Sequence, residues 1–514
     1  DIARYSDRIS ASRKLATVSG VPLYFQVCLL SKTYRSAAVQ LRKLGTKRKE
    51  SKSKNTIITS TQDTTVATKA GSRVLLVVPS VTDCNGAGGV ATRWNGYSKE
   101  LEAAGWTVEL CTVDGSEELS VPRFIHPCYP DTLSDRPAAT WISKMWKRLL
   151  VHPSQQPVNA VIMTDMIINF PLALICRAAG VPLIYSMHTD IGKLLYGHGG
   201  LWLLRMLTEL FLVRVSEASQ ALTAGICTAA ITTSPSFMEL LQSRGVRACT
   251  RFYAAIPAEE IINTYRRLQP DQIQDMRKQM TAGHPERRLL CYAGRWSVEK
   301  RMHLLKECVT QLPGNITLCF IGDGPIASIV QEWADEPRVV VLQGMRPRAD
   351  LALVYAAADW IVSASDFETF GNVAFEAALC GTPCLLQRAQ GFVDQIGKDE
   401  ATGALLEYCA DDSVEQLSNA MKRTAWLTTK PAQVQKAVRL RQSGNGGTTV
   451  VKLLDEVAIK KPAQCSIFWP LLFVTSLLIS AFLSAVLSVT KLLAKTESSR
   501  KNKQRVETRD PKNE

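Results

Sequence analysis

The stretch that decides the fold is DFETFGNVAFE, residues 366–376, in which two glutamates stand eight positions apart. It follows the apolar run WIVSAS, residues 360–365, and continues into a run of helix formers. This order predicts a strand, a turn at Gly371 and then a helix. Glu368 would lie in the loop at the carboxyl end of the strand, and Glu376 about one turn inside the helix. Ligands bind at that edge of an open α/β sheet, although spacing alone favours two solvated glutamates near a helix start.

Apolar runs of strand length alternate with helical patterns on both sides of this stretch. The runs lie at residues 72–80, 107–113, 159–165, 181–190, 229–234, 289–294, 316–325, 338–345, 360–365 and 382–388. Such alternation predicts parallel, doubly wound sheets. Because 514 residues exceed what one core accommodates, we expect an α/β protein with two Rossmann-like domains, residues 72–257 and 258–457. We expect residues 389–397 to form a loop, and helices near 413–457 to pack back on the first domain.

The net charge of +14 is concentrated at the two ends of the chain. Residues 1–72 contain 14 Lys or Arg against 4 Asp or Glu, and the residues after Thr490 contain 8 against 4. The body is therefore close to neutral, so we expect no nucleic-acid partner. The basic leader, residues 1–71, is rich in Ser and Thr, which is typical of a transit peptide or a disordered arm. Its apolar patch at 21–30 is too short to span a bilayer but fits a signal for plastid import through the secretory route.

Residues 466–490 form a stretch of 25 residues without a charge. A helix rises 1.5 Å per residue, so this stretch is long enough to cross the ~30 Å hydrocarbon core of a bilayer. Lysines border it on both sides. We expect a single-pass transmembrane helix followed by a basic tail, residues 491–514. A helix buried in the folded body is the alternative.

The fourteen cysteines indicate buried, reduced thiols rather than a metal site. There is no CxxC pair, and most cysteines lie within apolar runs. Cys380 and Cys384 are close in sequence, but no histidine nearby would complete a zinc site. We therefore expect no metal ligands.

The first half contains two features typical of a ligand crevice. Gly88 and Gly89 precede a helical pattern, and a glycine-rich turn at a helix N-terminus offers free N–H groups to a phosphate. The pattern is not GxGxxG, so a nicotinamide site is poorly supported, and a tight packing turn remains an alternative. His188 ends the strand VPLIYSMH, where a side chain would face the crevice, although a lone histidine is often structural.

The second half contains two cations beside a predicted helix start. Arg295 and Lys300 follow the strand that ends at Gly294. Helix N–H groups supply partial positive charge and the two side chains supply full charges, which together favour a diphosphate.

Three stretches, GRWSVEK (294–300), IGDGP (321–325) and ETFGNVAFE (368–376), resemble the donor-binding half of the family 4 retaining glycosyltransferases. That family has the GT-B fold, in which two Rossmann-like domains face a cleft that closes over the donor. The resemblance covers residues 72–457. Within the family the chain is most similar to the sulfoquinovosyltransferases that make the plastid sulfolipid, through GRWSVEKRMHLLKECVTQLPG, IGDGP and SMHTD.

The resemblance implies a role for each candidate residue. Arg295 and Lys300 would hold the diphosphate of a nucleotide sugar, and Glu376 would accept hydrogen bonds from the ribose. Glu368 would bind hydroxyls of the donor sugar, and His188 would reach the sugar near the anomeric centre. These residues other than Glu376 form the implied catalytic set. The other implied donor-binding positions are Gly88, Gly89, Gly294, Gly324, Phe370, Gly371 and Asn372.

The implied function is transfer of a sugar, with retention, from UDP-sulfoquinovose or another UDP-sugar to a lipid such as diacylglycerol, without a cofactor or metal ion. A membrane-bound acceptor explains the spanning segment, and the expected location is a plastid membrane, with the endoplasmic reticulum as the alternative. Three alternatives stay open: a glycosyltransferase acting on phosphatidylinositol or a dolichol-linked glycan, a GT-B nucleotide-sugar epimerase, and a non-catalytic nucleotide-binding membrane scaffold. Residues 390–394 read QGFVD where relatives usually read GGxPE, and residues 254–260 read AAIPAEE instead of an NGVD-like segment. Both departures bear on the identity of the donor sugar more than on the reaction chemistry.

Overall fold

The computed structural model describes most of the body of the chain. The described residues are 72–79, 88–113, 115, 119–126, 129–135, 138–150, 156–166, 169–189, 213–246, 249–251, 258–344, 348–395, 413–444, 450–459, 474–476 and 478. The predicted leader, the basic tail and nearly all of the predicted transmembrane helix, residues 466–490, lie outside them. Within the described ranges, no helix combines the length and apolarity needed to cross a bilayer.

The first half folds around a six-stranded parallel sheet. In chain order its elements are β1 (Arg73–Val78), α1 (Gly88–Ala103), β2 (Thr107–Thr112), β3 (Arg123–His126), β4 (Tyr129–Asp135), α2 (Ala139–Leu149), β5 (Ala160–Thr164), α3 (Asn169–Ala179), β6 (Leu183–Met187), α4 (Val213–Ile226), β7 (Ala229–Thr232), α5 (Pro235–Ser243) and β8 (Cys249–Arg251). The sheet order is β2-β1-β5-β6-β7-β8, and β3 and β4 pair separately as an antiparallel hairpin. The strand order therefore reverses between β1 and β5.

The second half folds around a five-stranded parallel sheet. In chain order its elements are α6 (Ala258–Arg267), α7 (Pro270–Met280), β9 (Arg288–Ala293), α8 (Met302–Cys308), β10 (Ile316–Gly322), α9 (Ala327–Gln331), β11 (Val339–Gln343), α10 (Arg348–Ala357), β12 (Trp360–Ser363), α11 (Asn372–Leu379), β13 (Cys384–Leu386), α12 (Gln390–Gln395), α13 (Val414–Ala425), α14 (Pro431–Gly444) and α15 (Val450–Ile459). The sheet order is β11-β10-β9-β12-β13, so its reversal lies between β9 and β12. The prediction of parallel, doubly wound α/β sheets is confirmed.

Both faces of each sheet are covered, which explains why the strands read as continuous apolar runs. In β1, Leu75 and Val77 contribute to the core on one face, and Val74 and Leu76 to the core on the other. A strand with only one buried face would alternate apolar and polar residues. The same arrangement holds in β9, where Leu289 and Leu290 contribute to cores on opposite faces of the sheet.

The final described helix of the body returns to the first half. Leu453, Leu454 and Val457 of α15 pack in the same core as Trp94 of α1, and Trp106 Nε1 donates to Asp455 Oδ1 at 3.2 Å. Of the helices near 413–457, α13 and α14 instead contact elements of the second half. Among the described helices of this region, α15 alone therefore packs back on the first domain.

The expectation that residues 389–397 form a loop is wrong, because residues 390–395 form α12. A helix of six residues that contains a glycine leaves little periodic signal in the sequence. Tertiary contacts stabilise this helix. Gly391 N donates to Glu368 O at 2.7 Å, and the Asp394 carboxylate accepts hydrogen bonds from Ser236 of the first half.

Candidate functional site

The loops that follow β9 and β12 meet at the strand-order reversal of the second sheet. These strands are direct neighbours in the sheet, so the cations after β9 and the acids after β12 emerge side by side at one edge. Ligands bind in the crevice at such a reversal. The strand, turn and helix predicted from DFETFGNVAFE are present, because β12 ends at Ser363 and α11 starts at Asn372. Gly371 precedes that helix at φ 83°, a conformation that favours glycine.

Lys300 and Glu368 form an ion pair across these two loops. Lys300 Nζ donates to Glu368 Oε1 in a short contact between residues 68 positions apart in sequence. The two side chains are 22% and 21% exposed. The pair is thus partly open to a ligand, and Lys300 has further ammonium protons with which to bind an anion.

Two glycines allow the loops at this edge to pack backbone against backbone. Gly322 has φ 147°, and a Cβ placed there would lie 1.9 Å from Gly294 O. A Cβ on Gly324 would lie 2.3 Å from Trp296 O, and Trp296 N donates to Asp323 O at 2.8 Å. The loop that carries Arg295 is therefore positioned by direct contact with the loop after β10.

Two further residues shape the loop of Arg295 and Lys300. Tyr292 OH donates to Arg295 O at 2.8 Å. Arg301 adopts a left-handed conformation at φ 52° and lies 3.5 Å from the Asp366 carboxylate. A non-glycine residue with positive φ is uncommon and here bends the chain directly from the turn at Val298–Lys300 into α8.

Glu376 lies about one turn inside α11, as predicted, but the structure adds a partner that the sequence did not indicate. Its side chain is 8% exposed, and Oε2 accepts a hydrogen bond from Tyr355 OH at 3.0 Å. Burial and then the Glu376 carboxylate raise the pKa of Tyr355 well above its usual value, so Tyr355 stays a donor. Tyr355 belongs to α10, and no local pattern marks it as a site residue.

His188 ends β6 in the first half, and its main chain is held by Asp165. Asp165 Oδ2 accepts from His188 N at 2.6 Å and from Thr189 N at 2.9 Å. The ring of His188 is 3% exposed, and its Nδ1 lies 2.7 Å from Nη1 of Arg93. Burial and then the Arg93 cation lower the pKa of His188 well below its usual value, so the ring is neutral.

Arg93 connects the two halves of the chain. It lies in α1, which begins at Gly88 and Gly89, and its guanidinium lies 5.7 Å from the centre of the Phe370 ring in the loop after β12. Two other contacts cross between the halves nearby. Thr233 Oγ1 donates to Thr369 O at 3.3 Å, and Ser236 N and Oγ donate to the Asp394 carboxylate at 2.9 and 2.8 Å.

The structure therefore brings most predicted site residues to one region. The β9 and β12 loops hold Gly294, Arg295, Lys300, Glu368, Phe370 and Gly371, with Asn372 and Glu376 in the helix that follows and Gly324 in the loop behind. From the first half, His188 reaches the same region through Arg93. Arg93, Asp165 and Tyr355 are additions that only the tertiary structure supplies. Among the side chains described, no three from His, Cys, Asp and Glu are grouped so as to hold a metal ion.

Two family profiles match the two halves of the chain. Residues 88–251 match the profile described as "Glycosyl transferase 4-like domain". Residues 274–441 match the profile described as "Glycosyl transferases group 1". The first match covers every strand of the first sheet except β1, and the second covers all five strands of the second sheet.

Several curated proteins are similar to parts of the chain. Sulfoquinovosyl transferase SQD2 of Arabidopsis thaliana is 27% identical over 234 residues, which is 45% of this chain and 42% of that protein. A GDP-mannose-dependent alpha-mannosyltransferase of Corynebacterium glutamicum is 32% identical over 24% of this chain and 28% of that protein. Alpha-monoglucosyldiacylglycerol synthase of Streptococcus pneumoniae is 27% identical over 27% of this chain and 32% of its own length. The chain thus spans less than half the length of these relatives.

Solved structures share the fold at low identity. The Anabaena protein HepE, solved with UDP and glucose, has a TM-score of 0.50 and 18% identity, covering 76% of this chain and 98% of its own. Sucrose-phosphate synthase from Thermosynechococcus elongatus has a TM-score of 0.51 and 18% identity, covering 79% and 100%. These likenesses concern the fold. Taken with the two profile matches and the paired parallel sheets, they show that the chain has the GT-B glycosyltransferase fold.

Proposed function

We propose that the chain is a retaining glycosyltransferase of sulfolipid biosynthesis. It transfers sulfoquinovose from the UDP-sugar UDP-sulfoquinovose to the lipid acceptor diacylglycerol. The observation that carries the proposal is the Lys300–Glu368 pair, which joins the two loops at the β9–β12 reversal. It places a cation suited to a diphosphate directly beside a carboxylate suited to sugar hydroxyls. The similarity to sulfoquinovosyl transferase SQD2 supports the choice of donor.

The proposed chemistry depends on stabilising the leaving diphosphate. As the bond between sugar and diphosphate breaks, negative charge grows on the diphosphate, and Arg295 and Lys300 stabilise that charge. Lys300 can keep its bond to Glu368 while donating to a phosphate oxygen, since an ammonium group has three donors. Glu368 thereby orients Lys300 and keeps its other oxygen for a sugar hydroxyl. In this proposal Glu376 binds the ribose, and no cofactor or metal ion takes part.

Two features support a lipid acceptor and a membrane location. The proposed membrane is that of a plastid, with the endoplasmic reticulum as the alternative. The name of one similar protein, alpha-monoglucosyldiacylglycerol synthase, is consistent with a glycolipid product. Within the apolar stretch 466–490, Ser476 Oγ donates to Pro171 O of α3 at 3.0 Å. Val474 and Leu478 are 48% and 65% exposed. At its described residues, 474–476 and 478, the stretch thus contacts the first half through Ser476 and exposes Val474 and Leu478.

The activity is tested with purified full-length chain, diacylglycerol vesicles and one donor at a time. The donors are UDP-sulfoquinovose, UDP-glucose, UDP-galactose and UDP-N-acetylglucosamine, and the product is measured as radiolabelled glycolipid by thin-layer chromatography. We expect sulfoquinovosyldiacylglycerol with the α-anomeric configuration, formed equally well with a metal chelator present.

The other outcomes separate the competing functions. Glycolipid from another donor alone rules out the sulfolipid assignment and keeps the enzyme class. Interconversion of free nucleotide sugars without acceptor indicates an epimerase. UDP binding without any product indicates a non-catalytic scaffold. Transfer to phosphatidylinositol or a dolichol-linked glycan, and not to diacylglycerol, contradicts the proposed acceptor.

Membrane attachment is tested by flotation with phosphatidylcholine vesicles. We expect the full chain to float, and the double variant Val474→Lys, Leu478→Lys to float less, because placing lysines in the hydrocarbon core costs about 2.5–3.5 kcal/mol each. Leu427→Lys is the matched control, since Leu427 is also exposed, at 44%, but lies outside the apolar stretch. Equal flotation of the double variant and the control would argue against attachment through residues 466–490.

A further inference from the structure

Arg93 is a buried cation without a carboxylate partner among the described residues. It is 4% exposed, its Nη1 donates to His188 Nδ1, and its Nε has no hydrogen-bond partner within the described ranges. Arg148, at 8% exposed, shows the usual arrangement, because its Nε and Nη2 donate to the Glu109 carboxylate at 3.0 and 2.6 Å. A buried charge that lacks a counter-ion is costly, by several kcal/mol.

His188 supplies a second unused donor next to Arg93. A guanidinium can only donate, so His188 Nδ1 accepts and the proton lies on Nε2. Nε2 is buried and has no partner in the part of the chain that the structure describes. Because the hydrogen bond from Arg93 to Nδ1 orients the ring, the N–H group at Nε2 points in a set direction.

The nearby carboxylate, Asp165, does not neutralise this pair. Its Oδ1 accepts from Tyr185 OH at 2.7 Å and from Gln220 Nε2 at 3.1 Å. Its Oδ2 accepts from the backbone N–H groups of His188 and Thr189. All four hydrogen bonds hold the main chain or other side chains, so Arg93 and the His188 ring keep a net positive charge and two donors that no described residue accepts from.

The pair faces the loop that would hold the donor sugar. Arg93 lies over the ring of Phe370, two residues beyond Glu368, and Phe370 is buried in a core of the second half. Under the proposed function this is where the sugar and the diphosphate of the donor lie. An oxyanion at this point would supply the missing counter-charge and accept from both unused donors.

We propose that Arg93 and His188 form a receptor for an oxyanion of the bound nucleotide sugar. The receptor rests on the proposed function. Two groups of that donor have the required chemistry: a sulfonate on the transferred sugar, and the diphosphate itself. A neutral hexose carries no charge at the sugar end. If the sulfonate is the oxyanion, the receptor would therefore favour a donor with a charged sugar.

The test is Arg93→Met in the full chain, with dissociation constants measured by calorimetry for four ligands. Uridine carries no oxyanion, UDP and UDP-glucose carry the diphosphate, and UDP-sulfoquinovose also carries a sulfonate. We expect a loss of about 10- to 100-fold for the ligand that supplies the oxyanion, as for removal of hydrogen bonds to a charged group. A loss confined to UDP-sulfoquinovose identifies the sulfonate. An equal loss for the three charged ligands identifies the diphosphate.

Arg148→Met is the matched control. It removes a buried cation that has a carboxylate partner, so it should lower the melting temperature and leave all four affinities unchanged. Arg93→Met should raise the melting temperature, because it removes a buried charge that has no counter-ion among the described residues, and it should lower the affinity only for the ligands that supply the oxyanion. Arg93→Lys keeps the charge and should recover part of the lost affinity.

Two results would overturn the receptor: unchanged affinity of Arg93→Met for all three charged ligands, or a parallel loss for uridine. Binding of nucleotide sugars without any transfer would instead count only against the proposed function. A wild-type chain that binds none of the three charged ligands would overturn both.

Discussion

Lys300→Ala should lower the turnover number for glycolipid formation by at least ~10²-fold, the scale of losing one group that stabilises charge in the transition state. The variant lacks the ammonium group beside the place where the diphosphate departs. Glu368 keeps its position, because Gly391 N donates a backbone hydrogen bond to Glu368 O. The measurement is the turnover number at saturating donor and acceptor, together with the melting temperature.

Lys306→Ala is the matched control for this variant. Lys306 lies in α8, the helix that follows the loop, and is also partly exposed. It should leave turnover within about twofold of the wild type, since isolated surface charges contribute little. A near-normal turnover for Lys300→Ala would refute its role at the leaving group.

Gly322→Ala should destabilise the second half strongly and displace the loop of Arg295. The added Cβ would lie 1.9 Å from Gly294 O, and the residue has φ 147°. Backbone atoms cannot rotate away as a side chain does, so two loops must separate. The free energy of unfolding, measured by denaturant titration, should fall by at least about 2 kcal/mol more than in the control below.

Gly344→Ala separates backbone strain from steric contact. Gly344 has a similar φ of 127°, but a Cβ there meets no atom within 4 Å. Its free energy of unfolding should fall only by the strain of an unfavourable backbone conformation, about 1–3 kcal/mol. Equal losses in the two variants would mean that the contact between Gly322 and Gly294 does not support the site.

The strand–turn–helix unit at DFETFGNVAFE shows what local sequence can predict. An apolar run, a glycine that adopts positive φ, and a run of helix formers each follow from short-range rules. The resulting β12, Gly371 turn and α11 place Glu368 in a loop and Glu376 inside a helix. The same rules predict that β9 is followed by Arg295 and Lys300 at a helix start.

Other parts of the site have no local signal. Tyr355 reads as one apolar residue of an ordinary helix, and Arg93 as one polar position of α1. Each acquires its role from a partner distant in sequence: Tyr355 from Glu376, 21 positions away, and Arg93 from His188, 95 positions away. Likewise α12 is held by contacts with Glu368 and Ser236 rather than by its own periodicity.

The alternation of apolar runs, the glycines and the charged residues after the strands determined the α/β class and the identity of most candidate residues. These features depend on backbone conformation and hydrophobic burial, which act over a few neighbouring residues. Only the tertiary structure decided that Lys300 pairs with Glu368, that Tyr355 donates to Glu376, and that Arg93 is buried with no carboxylate partner among the described residues. Strand order and packing place distant residues side by side, and burial then makes each unpaired charge or donor costly, so those partners depend on contacts that no short stretch contains.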